Sequence, residues 1–182
     1  TLFVADLGSL GPFDRILSHR EQLNEHSRRL KMVTISVDDR LLAAYLFYGG
    51  ILLLKMLSMS LITAFYRIKN KALPSPEDYG EKKRDEPVPI NDDVERVRRA
   101  HLNDLENIPT FLIIALLFML AGRCPTSGIW CLRIFTAARI IHTLSYLTAL
   151  SKPRGAGFLI GVICTIVLGV SVLLSAAHAG SF

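Results

Sequence analysis

The chain has 182 residues, 51% of them apolar and 20% charged, with 21 Lys and Arg against 16 Asp and Glu for a formal net charge of +5. That length is one domain at most, and the segregation of apolar and charged residues into long blocks excludes a disordered chain. Cys124, Cys131 and Cys164 have neither CxxC spacing nor a neighbouring ligand pattern, so neither a disulfide framework nor a metal is expected, and the three read as small apolar fillers.

Residues 1–36 carry scattered apolar positions among alternating charges, including Glu21, Glu25, Arg28, Arg29 and Lys31, with no apolar run resembling a signal peptide. Met32 lies just before the first membrane-like stretch. The expectation is that Met32 is the natural start and that the preceding residues form a disordered or non-native extension.

Four apolar segments follow, at about 41–65, 94–122, 128–150 and 155–179. The first, Leu41 to Phe65, contains one charge, Lys55; at about 1.5 Å per residue it exceeds the roughly 30 Å hydrocarbon slab. The second opens with the capping cluster Asn91, Asp92, Asp93, has a polar first half and becomes apolar from Ile108. Pro109 sits at the change and should bend the helix there. The paired Gly49 and Gly50, and Gly161 with Gly169, suit close helix packing. A backbone in lipid must satisfy its own hydrogen bonds, so four such runs predict an all-α, integral membrane four-helix bundle over residues 37–182.

The connections GRCPTS and SKPR are short enough to force antiparallel neighbours. The long loop between the first two segments holds Arg67, Lys69, Lys71, Lys82, Lys83 and Arg84. By the positive-inside rule that loop and the Lys152/Arg154 connection are cytosolic, Arg123 is lumenal, and both termini face the lumen. The positive charge therefore reports orientation; it is not interleaved with base-stacking aromatics, and no nucleic-acid partner is expected.

Charge inside a membrane helix is expensive and usually marks a functional site or a buried pair. In VERVRRAHLNDLEN, residues 94–107, helical spacing puts Glu95, Arg99, Asn103 and Glu106 near one face, with Arg98, His101 and Leu102 beside it. Ordinary salt bridges on a solvated helix end would explain this stretch alone. The third segment adds Arg139, His142 and Tyr146 on one stripe, which fits either interhelical glue or a cationic pocket at the cytosolic boundary. Arginine forks suit carboxylates and a glutamate suits an ammonium, so a ligand with two carboxylates and an amine would fit. Lys55 is expected to neutralise Asp104 or Glu106 instead of touching a ligand.

Three motifs carry a resemblance: FYR through KALPSPED at residues 65–78, VERVRRAHLNDLENI at 94–108, and ARIIHTLSYLT at 138–148. In these the chain resembles the MAPEG family, the membrane-associated proteins in eicosanoid and glutathione metabolism, from about Leu41 to Ala179. Leu102 favours the family's glutathione-transferase branch, since the prostaglandin-synthesising branch has an arginine there. The resemblance implies a homotrimer with one glutathione site per subunit interface, open to the cytosol, and an apolar second substrate arriving from the bilayer.

Carried over by position, the glutathione-binding set is Arg67, Arg98, Arg99, His101, Asn103, Glu106, His142 and Tyr146, with Arg139 supporting the pocket. Arg154 or Tyr146 would stabilise the thiolate, and Asp78 is the further catalytic candidate. The implied activity is glutathione conjugation to hydrophobic electrophiles, with peroxidase action on lipid hydroperoxides, in the endoplasmic reticulum or the outer mitochondrial membrane. A glutathione-dependent prostaglandin isomerase using Asp78 and Arg154 is the alternative, and a non-catalytic lipid-binding member of the fold the second. Three departures stand out: KPRGAG supplies Arg154 only if the preceding loop is one residue shorter, and no serine follows; Tyr79 replaces a thiol-sensing cysteine, so activation by alkylation should be absent; and the proline of the second helix comes one position early.

Overall fold

The computed structural model describes residues 37–80 and 89–180. The readings placed on residues 1–36, on Met32, and on Lys82, Lys83 and Arg84 fall outside the described residues. Among the described residues four long helices follow one another: α1 (Asp39–Lys69), α2 (Asp92–Leu120), α3 (Pro125–Leu147) and α4 (Ser151–Ala179), with a short 3-10 turn, Pro76–Tyr79, between α1 and α2.

Local chemistry sets their ends. The Asp38 carboxylate accepts from the backbone N–H of Arg40 and Leu41, each at 3.0 Å, and starts α1. Asn91 does the same for α2, accepting from Asp93 and Val94 at 3.1 and 3.2 Å, so the helix begins two residues ahead of the expected Val94. Its carbonyl end stops at Gly122, whose φ of 61° a β-carbon would oppose. Pro125 opens α3 at a position where a missing N–H costs nothing. The segment SKPR, expected as a connection, is the first turn of α4. Proline is tolerated there because the first N–H groups of a helix have no intrahelical acceptor. The true connection is Thr148–Leu150, in which Ala149 adopts the left-handed conformation and Leu150 N–H closes back on the Ser145 carbonyl at 2.9 Å.

In cross-section α2 and α3 touch across the middle while α1 and α4 occupy opposite corners, α1 packing on α2 and α3, and α4 on α3 and α2. One apolar cluster fills the half of the bundle towards the α2–α3 connection, around Leu52, Ile108, Phe111, Phe118, Phe135 and Leu168, with the Phe111 and Phe135 rings stacked at 3.6 Å. A smaller one, Met59, Val97 and Ala100 with Tyr66 and Tyr146 against it, closes the other end.

Among the described residues three helices, α1, α2 and α4, are long and apolar enough to cross a membrane. The expectation of four such segments is corrected at α3. Its 23 residues reach about 34 Å, but Arg133, Thr136, Arg139, His142, Thr143 and Ser145 lower its hydropathy. All of these except Arg133 are buried, so α3 turns its polar side into the bundle. Exposed leucines and isoleucines, such as Leu46, Leu54, Leu61, Ile166 and Leu173, cover the outer faces of α1 and α4. A soluble monomer rarely shows a belt of this extent.

Two further expectations change. Cys164 is buried and Cys131 half-buried, but Cys124 is exposed in the α2–α3 connection and fills nothing. Among the glycines, Gly49 and Gly161 have ordinary room, and Gly50 has nothing within 4 Å of the place a β-carbon would take. Two approaches are tight: at Gly128 that atom would meet the Leu41 and Phe118 side chains at 2.8 and 2.9 Å, and at Gly157 it would lie 2.8 Å from the Ala138 carbonyl oxygen and 3.2 Å from His142 Cβ. At Gly157 the obstruction is backbone, so α3 and α4 must separate to relieve it. Gly157→Ala is expected to destabilise the protein by about 1–3 kcal/mol, the usual cost of overpacking, read as a lowered thermal midpoint in detergent.

Candidate functional site

The most buried ionic group is Asp104 on α2, fully shielded from solvent at 0% exposure. Its Oδ2 accepts from Lys55 Nζ of α1, and its Oδ1 accepts from both Nε (3.2 Å) and Nη2 of Arg139 on α3. Thr143 Oγ1 stands 3.4 Å from Oδ2. Of the two acids proposed for Lys55, the structure selects Asp104; Glu106 is exposed. A carboxylate in a low-dielectric interior is tolerable only when paired and hydrogen-bonded, and Asp104 has a cation on each oxygen.

Arg139 also reaches outward, since its Nη2 donates to Asn103 Oδ1 at 2.8 Å. One turn further along α3, the His142 ring meets the Tyr146 ring edge-on with centroids 5.1 Å apart. The Arg154 guanidinium, from the first turn of α4, lies over the Tyr146 ring at 4.7 Å. Three sequence-selected residues of α3 and α4, His142, Tyr146 and Arg154, thus form a continuous run that begins one turn beyond Arg139 and ends where α1 ends and α2 begins.

At that same end a cavity of about 290 Å³ opens between the end of α1 and the start of α2, lined by Arg67, Asn91, Glu95 and Arg98 among others. Arg67 Nε is buried there without a partner among the described residues. Arg98 is engaged: its Nε and Nη2 grip the Glu95 carboxylate in a two-pronged pair at 2.8–3.0 Å. The remaining selected residues of α2 point elsewhere, with Arg99 and Glu106 exposed and His101 half-buried. Asp78 is exposed as well and accepts the Ser75 N–H at 3.3 Å within the 3-10 turn.

The set read from sequence is therefore divided. Asn103 joins Arg139; His142, Tyr146 and Arg154 join one another; Arg67 and Arg98 share a cavity; Arg99 and Glu106 face out of the bundle. Sequence reasoning placed Glu95 on this face without giving it a role, and missed the role of Tyr79. Glu95, three residues before Arg98, occupies its fork, a pairing the spacing rule foreshadows. Tyr79, noted only as a replaced cysteine, receives the Leu73 N–H on its hydroxyl and donates to the Lys71 carbonyl at 3.0 Å, stapling the chain just after α1. No local sequence signal marks that role.

Comparison with known proteins gives the family. The model of the MAPEG family matches residues 45–174. The chain is 44% identical over 148 residues to microsomal glutathione S-transferase 1 of Homo sapiens, covering 79% of this chain and 96% of that protein. It is 44% identical over 144 residues to the same enzyme of Mus musculus, covering 76% and 93%. It is 31% identical over 120 residues to prostaglandin E synthase of Macaca fascicularis, covering 66% and 79%.

The buried triad gives a direct stability test. Asp104→Ala leaves Lys55 and Arg139 buried without their counter-charge and should cost about 3–5 kcal/mol, whereas Lys55→Met leaves the Arg139–Asp104 pair intact and should cost markedly less. Thermal unfolding of the two detergent-solubilised variants gives the order; equal midpoints would contradict it.

Proposed function

The chain belongs to the MAPEG family, and from that premise we propose that it is a membrane-bound glutathione S-transferase, joining the glutathione thiolate to hydrophobic electrophiles. The observation that carries this reading is the 44% identity to microsomal glutathione S-transferase 1 over 96% of that enzyme. The gathering of His142, Tyr146 and Arg154 beside Asn103 and Arg139 supports it.

The chemistry follows from the side chains. A free thiol has a pKa of about 8.5 and the thiolate is the nucleophile, so the site must favour the anion. Positive charge beside the sulfur does so. Arg154, held over the Tyr146 ring, is the group assigned to the thiolate, with the Tyr146 hydroxyl as its companion donor. Arg67, Arg98 and Arg99 take the carboxylates of the tripeptide, Glu106 its ammonium, and Asn103, His101 and His142 its amide groups. The sulfur attacks an electrophilic carbon, a C–S bond forms, and the leaving group departs with the electron pair. Toward a lipid hydroperoxide the same thiolate attacks the terminal oxygen, the O–O bond breaks and the alkoxide leaves to become the alcohol; a second glutathione thiol attacks the resulting sulfenic acid, forming the disulfide and releasing water.

Arg99 and Glu106 face away from their own bundle, which supports a site completed by a neighbouring copy in a homotrimer. The basic end is assigned to the cytosol and the α2–α3 connection to the lumen of the endoplasmic reticulum or the space beneath the outer mitochondrial membrane. Prostaglandin isomerisation is the second reading, supported by Asp78, Arg154 and the 31% identical synthase; Leu102, where that branch has arginine, weighs against it.

Purified protein is expected to conjugate glutathione to chlorodinitrobenzene and to reduce a lipid hydroperoxide, and to leave a prostaglandin endoperoxide unisomerised. Absence of thiol chemistry in all three assays would leave a lipid-binding role. Arg99→Ala removes a charge-assisted contact worth about 1.5–3 kcal/mol and should weaken glutathione binding roughly ten- to hundredfold; an unchanged Kd would remove Arg99 from the site. The backbone N–H groups of Ser127 and Thr126 hold the exposed Cys124 thiol below its usual range, so more thiolate is present at neutral pH than in an ordinary cysteine. A membrane-impermeant maleimide should label Cys124 first, only after the lumenal side is opened, and without changing turnover.

A further inference from the structure

We propose that Asp104 and Arg139 are positioning residues that fix the amide of Asn103 so that its nitrogen, and not its oxygen, is presented to the ligand; this rests on the glutathione reading above. A guanidinium has donors only, so the Asn103 atom 2.8 Å from Arg139 Nη2 must be the carbonyl oxygen. That choice leaves Nδ2 as the free end of the amide, with no acceptor among the described residues, on a residue that is itself only half-buried.

Arg139 could not hold Asn103 alone. Its side chain is 1% exposed, and Asp104 sets the plane of its guanidinium by taking Nε and Nη2 on one oxygen. Nη2 is shared between the carboxylate and the amide, so the plane of the guanidinium sets the plane of the amide. Asp104 is in turn fixed by Lys55 on its second oxygen. The adjacent positions 103 and 104 on α2 thus act in sequence, the buried residue orienting a cation from α3 and that cation orienting the partly exposed residue. A nitrogen held in this way donates to a carboxylate or peptide carbonyl of the tripeptide without first losing rotational freedom.

The test is equilibrium glutathione binding to the purified, membrane-embedded full chain, with turnover alongside. Asn103→Asp keeps the oxygen that Arg139 grips and exchanges the nitrogen for a second oxygen. It should weaken glutathione binding at least tenfold, as much as Asn103→Ala, with kcat at saturating glutathione far less affected. Arg139→Lys keeps the charge on Asp104 but cannot bridge to Asn103, and should match Asn103→Ala within about twofold. The double variant Asn103→Ala, Arg139→Lys should bind no more weakly than Asn103→Ala. Tight binding by Asn103→Asp, or losses that multiply in the double variant, would overturn the positioning role. If Arg139→Lys does not fold, Asn103→Asp decides alone, since its contact within the protein is preserved. Failure of the wild type to bind glutathione would remove the functional reading itself, a result distinct from binding that ignores Asn103.

Discussion

A single carboxylate buried between two cations organises this protein. Asp104 has no access to solvent, and its two oxygens are taken by Lys55 and Arg139 from the helices on either side. Outside a membrane such an arrangement is often replaceable by apolar packing at no loss. Here it ties α1, α2 and α3 together at the level where the apolar core gives way to the polar end, and it supplies direction that apolar contacts lack. Lipid tails compete well with leucine for a helix surface, so association of membrane helices depends on close packing and on polar bonds. The triad and the Gly157 approach meet those two needs.

The polar end is built outward from this pair. Arg139 passes its orientation to Asn103, and the next turns of α3 bring His142 and Tyr146 to the first turn of α4, where Arg154 lies across the tyrosine ring. On the other side the end of α1 and the start of α2 bring Arg67 and Arg98 to one cavity. The positive groups therefore arrive from four helix ends, each position set by a cap or a packed turn and not by a free loop.

Much of this was legible in the sequence, and the reason is periodicity. Long apolar runs with one lysine, the Asn91 cap, and Arg139, His142 and Tyr146 on one stripe all follow from spacing along a helix. The cost of an unpaired charge in lipid was enough to pair Lys55 with an acid on α2, although spacing alone left Asp104 and Glu106 open. What stayed hidden depends on three-dimensional proximity. Nothing local says that Tyr79 bonds to the chain at Lys71 and Leu73, or that Gly157 and not Gly50 is the glycine against a backbone. The extension of α4 back to Ser151 was hidden for another reason: a proline and two cations imitate a loop, yet all are acceptable in the unpaired first turn of a helix.

That early start of α4 bears on the irregular stretch KPRGAG. Arg154 lies one helical turn before Gly157, and Gly157 is seated on the α3 backbone with no room to slip. The glycine is the datum from which the height of the arginine is measured, not the linker upstream. Upstream the chain turns at Ala149, in the left-handed conformation, and downstream the guanidinium lies above the Tyr146 ring.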